Sequence, residues 1–143
     1  MVAMRLLSRR EYSDSELRLR LRNRNFLSGD IESVLAELIQ CGYLSNRRFA
    51  ESYSRSRCGQ GYGPVRIEME LSERGVSEAD IQHAMHELEV DWFQQAHAIR
   101  ARKFGDEQPV ELREKARQWR FMQYRGFSTD QIVYAFRQVV EPI

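Results

Sequence analysis

The sequence predicts an all-α protein, an elongated, curved array of three tandem three-helix repeats of helix-turn-helix character. Three observations carry that prediction: a weak internal repeat near 50 residues, apolar stripes at helical spacing inside each copy, and only three prolines and eight glycines in 143 residues, too few for a many-stranded β fold. At an offset of 50, Leu21, Phe26, Asp30, Ile31, Leu35 and Leu38 fall on Leu71, Val76, Asp80, Ile81, Met85 and Leu88. A further 51 residues on stand Met122, Phe127, Gln131, Ile132, Phe136 and Val139, and Arg24, Arg74 and Arg125 share one position. The repeats are set at 1–43, with a short first helix, 44–90 and 91–143.

Taken in order, residues 4–8 supply only a stub of a first helix. Ser13, with Glu16 three residues on, caps a helix over 14–24. Leu17 to Arg22 alternates with period two, a strand pattern by itself, but Leu17 and Leu21 match Ile67 and Leu71. Helix is therefore kept, and Leu19 is expected off the core face. A third helix, begun at Ser28, carries Ile31, Val34, Leu35 and Leu38 at i, i+3, i+4, i+7. In the second repeat a helix over 46–58 aligns Phe49, Ala50 and Tyr53, and Gly63-Pro64 opens another over 64–74 with proline at its first position. Gly75 then suits a helix end, and Ser77 with Asp80 starts the helix of Ile81, Ala84, Met85 and Leu88. In the third repeat a helix over 90–104 carries Trp92, Phe93, Ala96 and Ile99, and another covers 110–125. Gly126 precedes a last helix begun by Ser128 and Gln131, with Ile132, Ala135, Phe136 and Val139 as its stripe. Repeats of about 45–50 residues are marginal alone, and stacking buries their remaining apolar faces.

The net charge of +1 hides a blocked distribution. Residues 1–25 carry seven basic and three acidic groups, 47–66 five and one, and 67–91 one and eight. Twenty of the 22 basic residues are arginine, the side chain that forks onto phosphate or carboxylate. Blocks of this kind point to nucleic acid or a large charged partner, with a solvated face as the alternative. Arg18, Arg20, Arg22 and Arg24 form two i, i+4 pairs with no acid between, an unneutralised patch. Arg47, Arg48, Arg55, Arg57 and Arg66 flank Gly61-Tyr62-Gly63-Pro64, the preferred contact region. Tyr62 there stacks on a base or an arginine plane, or else packs between repeats. Arg74 joins the candidates on the shared repeat position, and Arg100, Arg102, Lys103, Arg117, Arg120 and Arg125 form a third patch unless Glu107, Glu111 or Glu114 pair with them. The acids of 68–91 form a solvated face or meet basic partner loops.

Other chemistry finds little support. His83 and His86 stand only i, i+3 with no cysteine partner, so no metal or other cofactor is expected. No phosphate-cradling glycine loop or nucleophile elbow is present, which argues against an enzyme. Cys41 and Cys58 read as buried small side chains in a reducing compartment, and Trp92 and Trp119 as core. No stretch approaches the roughly 20 apolar residues of a membrane span, and Met1 to Arg10 lacks a signal core; the expectation is a cytoplasmic monomer without membrane contact.

The stretch Gly42-Tyr43-Leu44-Ser45-Asn46-Arg47-Arg48-Phe49-Ala50, with Arg57, Gly61-Tyr62-Gly63-Pro64, Ile67, Leu71 and Gly75-Val76-Ser77, closely resembles the core of RecX regulatory proteins. Leu6-Leu7-Ser8-Arg9-Arg10-Glu11-Tyr12-Ser13 and Tyr124-Arg125-Gly126-Phe127-Ser128 resemble the same family's first and third repeats, so the likeness spans nearly the whole chain. The family commonly carries one or two acids after Gly-Tyr-Leu, where this sequence has Ser45-Asn46. The resemblance implies three tandem three-helix units, binding to the RecA filament on DNA, and suppression of filament growth, ATP hydrolysis and strand exchange. Contact with single- and double-stranded DNA is expected to be weak and salt-sensitive. The main rival is a helix-turn-helix transcription regulator, which would need one polar base-reading helix; the third helices here end in acidic or apolar residues. A generic helical scaffold is the other rival, but a period near 50 departs from the 34-residue tetratricopeptide unit.

Overall fold

The structure, a computed structural model, describes residues 1–137, and all regular structure among them is helical. In chain order the helices are α1 (Val2–Leu7), α2 (Asp14–Asn23), α3 (Ser28–Gln40), α4 (Asn46–Gly59), α5 (Pro64–Glu73), α6 (Glu78–Glu87), α7 (Trp92–Phe104), α8 (Leu112–Arg125) and α9 (Thr129–Ala135). Val139 of the last stripe lies outside the described residues.

The residues that reveal the repeat are those that stop its second helix. After α2 the Asn25 N–H donates to Arg22 O and the Phe26 N–H to Leu21 O, while Asn25 takes a left-handed φ of 67°. Gly75 and Val76 repeat those two bonds to Ser72 and Leu71, and Gly126 and Phe127 repeat them to Gln123 and Met122. This is the Schellman stop, in which the residue after the left-handed position packs on the one five places earlier. Leu21–Phe26, Leu71–Val76 and Met122–Phe127 are therefore paired by helix termination, which is why they align in sequence. Glycine relieves the left-handed strain in the second and third repeats, and asparagine, which tolerates it, serves in the first.

Most helix starts follow the sequence, although α7 and α8 begin two residues later than expected. Ser13 and Glu16 close a reciprocal capping box, as do Ser128 and Gln131, and the Ser77 hydroxyl accepts from the Asp80 N–H. Ser28 does not cap α3: it is the first helical residue, and Leu27 holds the cap position with no side-chain bond. Leu27 is the residue that the repeat aligns with Ser77 and Ser128, so the cap has been lost in the first copy.

The chain divides into two compact units. The first comprises Met1–Arg55 and Met69–Leu88. One core there gathers Ala3, Leu6, Tyr12, Leu17, Leu21, Ile31, Leu35, Leu38 and Leu44. Each of these leucines contributes on the order of 2 kcal/mol by leaving water. Leu19 is exposed, as the repeat requires of it. Asn46 and Asp14 exchange two bonds: the Asp14 N–H donates to the Asn46 side-chain oxygen at 2.8 Å, and the Asn46 amide donates to the Asp14 carboxylate at 3.1 Å. An amide can both donate and accept, whereas a carboxylate at 46 would face Asp14 as a like charge. Ser45 does the capping, accepting from the Arg48 N–H.

The second unit comprises Ser56–Glu68 and the chain from Glu89 onward. Its core holds Ala96, Ile99, Met122, Phe127, Ile132 and Ala135, with Trp92 and Trp119 against them. Trp119 stacks on Phe136 at 5.8 Å. Phe93, placed on the stripe by spacing, is 43% exposed and meets Tyr134 edge-on instead. Both cysteines depart from a buried reading: Cys41 is exposed on the turn after α3, and Cys58 is half-buried. Burial pushes the Cys58 thiol pKa up.

Candidate nucleic-acid interface

In the first compact unit four of the candidate arginines are occupied by neighbouring acids. Arg18 grips Glu32 through Nε at 2.6 Å and Nη2 at 3.3 Å. That hydrogen bond raises the guanidinium pKa and lowers the carboxyl pKa. Arg48 Nε lies 3.1 Å from Glu11. Arg74 Nε lies 3.7 Å from Glu16, its Nη1 donates to Glu70 O, and its Cζ sits 4.8 Å over the Tyr53 ring. Arg47 reaches His83 Nδ1 at 3.0 Å and Glu51 at 3.9 Å. A guanidinium can only donate, so His83 Nδ1 accepts and His83 Nε2 carries the hydrogen given to Glu51 at 2.9 Å. Arg22 and Arg24 are exposed, and neither side chain makes a hydrogen bond or ion pair among the described residues.

The second compact unit assembles the cations differently. The turn Gly61-Tyr62-Gly63-Pro64 docks on the stop of α8, backbone to backbone: the Gly63 N–H donates to Arg125 O at 2.7 Å and the Val65 N–H to Gly126 O at 2.9 Å. The approach is so close that a Cβ on Gly63 would stand 2.5 Å from Gly126 O. Only glycine fits there, which ties this turn to its place beside Arg125. Around the Tyr62 ring three guanidinium carbons then gather, Arg57 at 3.8 Å, Arg66 at 4.4 Å and Arg125 at 5.0 Å. Arg66 also lies 4.7 Å over Tyr124 and donates from Nη1 to Tyr124 O, while Arg125 lies 5.0 Å over Phe121 and donates to Gln60 O. Lys103 Nζ stands 5.6 Å from the far member of this series, Phe121. A surface pocket of about 170 Å³ opens between Gly61, Ile99, Arg102, Lys103 and Arg125.

The cluster alternates cations and rings, a chemistry suited to phosphates, carboxylates and flat π systems. It joins Arg57, Tyr62, Arg66, Lys103 and Arg125 of the sequence candidates, with Arg102 on the pocket and Arg120 exposed on α8. Arg47 and Arg48 belong to the first compact unit. The Tyr62 ring lies against Arg57 and Arg66 of the second repeat and Arg125 of the third. Arg100, grouped with the third patch by sequence, is 2% exposed. It donates to Ala135 O at 2.8 Å and to Gln118 at 3.1 Å, so it fastens the end of α9 instead of facing a partner. Desolvation lowers its pKa. Sequence reading missed Tyr124, a 68% exposed ring, and Arg113. The signal lies in the spacing of Arg113, Arg117, Arg120 and Tyr124 at i, i+4, i+7, i+11.

Fold and site thus define a three-helix-repeat protein with a basic, aromatic face. Three family models match it in sequence: RecX, first three-helix domain, over residues 2–38; RecX, second three-helix domain, over 45–85; and RecX, third three-helix domain, over 89–136. Regulatory protein RecX of Pseudomonas putida strain GB-1 is 46% identical over 130 residues, 91% of this chain and 83% of that protein. Its namesake in Vibrio vulnificus strain CMCP6 is 42% identical over 133 residues, 93% and 87% of the two chains. The crystal structure of RecX from Lactobacillus salivarius superposes with a TM-score of 0.74 at 21% identity, covering 94% of this chain and 89% of that one. The chain belongs to the RecX family of regulatory proteins. No helix among the described residues is long and apolar enough to cross a membrane.

Proposed function

We propose that this regulator binds the RecA filament on DNA and restrains its growth, its ATP hydrolysis and its strand exchange. Family membership supports the reading, and one observation carries it. Arg102 and Lys103 are exposed on the pocket beside Arg125, Arg120 is exposed on α8, and none of the three makes an ion pair among the described residues, so their charge is available to an anionic partner. Contact with the DNA of the filament then gains affinity from each phosphate neutralised and loses it as salt rises. Specificity for the filament comes from shape and protein contacts.

The test is DNA-stimulated ATP hydrolysis by RecA with this protein titrated in at two salt concentrations. Inhibition below one protein per recombinase is expected, weakened by charge reversal at Arg102, Lys103 and Arg120. Reversal at Arg48 removes a cation already held by Glu11 and is expected to matter less. Absence of inhibition at saturating protein refutes the reading, and sequence-selective binding to duplex DNA would establish a transcription regulator in its place.

A further inference from the structure

The exposed face of α8 carries chemistry that the core does not use. At 100° per residue, Arg113, Arg117, Arg120 and Tyr124 fall within about 60° of one another and extend along about 16 Å of the helix. All four are exposed. The only carboxylate within the helix, Glu114, is engaged by Arg117 at 2.7 and 2.9 Å and by the Gln118 amide. Those bonds hold its pKa down at about 2, so it stays charged and bound to them. The stripe is left with a net positive charge and ends in an aromatic ring.

That ring is prepared for a ligand. The Arg66 guanidinium lies 4.7 Å over Tyr124 and bonds its carbonyl, which fixes the residue, yet the side chain remains largely open to solvent. Tyr62, by contrast, is half-buried among three guanidinium groups and has little ring surface left to offer. An exposed ring beside a line of guanidinium groups matches a nucleic acid strand whose bases are unpaired, because a duplex keeps its base faces stacked and presents only phosphates and groove edges.

We propose that Tyr124 is a stacking platform for an unpaired base of single-stranded DNA, with Arg120 and Arg113 carrying the adjoining phosphates. This deepens the preceding reading, on which it rests for the choice of DNA, by naming the unpaired strand as what this face holds. The site is distinct from the Tyr62 cluster in using the open side of Tyr124.

The experiment is fluorescence-anisotropy titration of the isolated protein with labelled oligo(dT) and with a duplex of equal length, at several salt concentrations. Tyr124→Ala is expected to weaken oligo(dT) binding about tenfold and leave duplex binding unchanged, while Tyr124→Phe retains wild-type affinity for both. Charge reversal at Arg113 and Arg120 is expected to weaken both ligands and reduce the salt dependence by roughly one unit of slope for each phosphate no longer neutralised. Equal binding of oligo(dT) by wild type and Tyr124→Ala, or an equal loss on duplex, overturns the proposal. Loss of RecA inhibition in Arg120→Glu with oligo(dT) affinity intact also overturns it, by giving the stripe to a protein partner. Because the titration contains no recombinase, its failure is separable from failure of the regulatory reading.

Discussion

Gly63→Ala tests the close approach on which the cation–ring cluster depends. The added methyl would meet Gly126 O at 2.5 Å, Gly126 C at 2.6 Å and Phe127 N at 2.8 Å, all backbone atoms that cannot swing aside. Restoring ordinary van der Waals distances moves the two turns apart by nearly an ångström, which stretches the 2.7 Å bond from Gly63 N–H to Arg125 O beyond hydrogen-bond length and weakens its 2.9 Å neighbour. Losing one such bond and weakening the other costs about 1–2 kcal/mol, and overpacking adds about 1–3 kcal/mol. The stiffer unfolded chain returns about 0.4–1 kcal/mol. The net is a destabilisation of about 2–4 kcal/mol, a fall of roughly 1–2 M in the urea midpoint followed by far-ultraviolet circular dichroism. Gly59→Ala is the matched control, since nothing lies within 4 Å of its added methyl; it is expected to be neutral or stabilising by about 0.5 kcal/mol. The same substitution thus changes sign over four residues. A Gly63→Ala midpoint equal to that of Gly59→Ala would refute the backbone-to-backbone dock and, with it, the account of how Arg66 and Arg125 are positioned.

Three further outcomes follow from single interactions. Leu27→Ser restores the cap that Ser77 and Ser128 supply in the other repeats and is expected to stabilise the chain by about 1 kcal/mol in the same melts. Arg100→Lys cannot reach Ala135 O and Gln118 together, and the buried ammonium left behind is expected to cost about 2–4 kcal/mol; Arg100→Met, which leaves no charge, is expected to cost less than lysine. Asn46→Asp replaces a reciprocal amide–carboxylate pair by two facing carboxylates, with an expected loss of about 1–2 kcal/mol at neutral pH, read as a lower denaturation midpoint.

Local physics is legible in the sequence and cross-helix physics is not. The helices, their proline and glycine punctuation and the caps at Ser13, Ser77 and Ser128 depend on residues within one turn of each other, so spacing reveals them. Even the pairing of Leu21 with Phe26 is visible, because helix termination brings them together from five residues apart. Leu27 escapes notice because Ser28 satisfies a compositional rule, although the repeat offset points to 27. The arginines divide by contacts that composition does not encode: Arg18 finds Glu32 from 14 residues away and Arg48 finds Glu11 from 37. Arg100 is the extreme case, a residue type expected at the surface that is drawn inside by a helix-end carbonyl and a glutamine amide. Tyr124 stands inside the family-like stretch around Gly126, where it counts as a marker of likeness and its exposed ring goes unread.

One fold has been given two electrostatic treatments. In the first compact unit, Arg18, Arg48 and Arg74 meet the carboxylates of Glu32, Glu11 and Glu16. In the second, Arg102, Lys103 and Arg120 have no such partner among the described residues, and Arg66 and Arg125 lie against rings. Stability does not require this difference, because an exposed ion pair contributes only about 0–1 kcal/mol, less than one buried leucine. Leaving those cations unpaired therefore costs the fold little. A charge without an internal partner keeps its attraction for an external one. Charge reversal at Arg102, Lys103 and Arg120 should accordingly change binding far more than it changes folding.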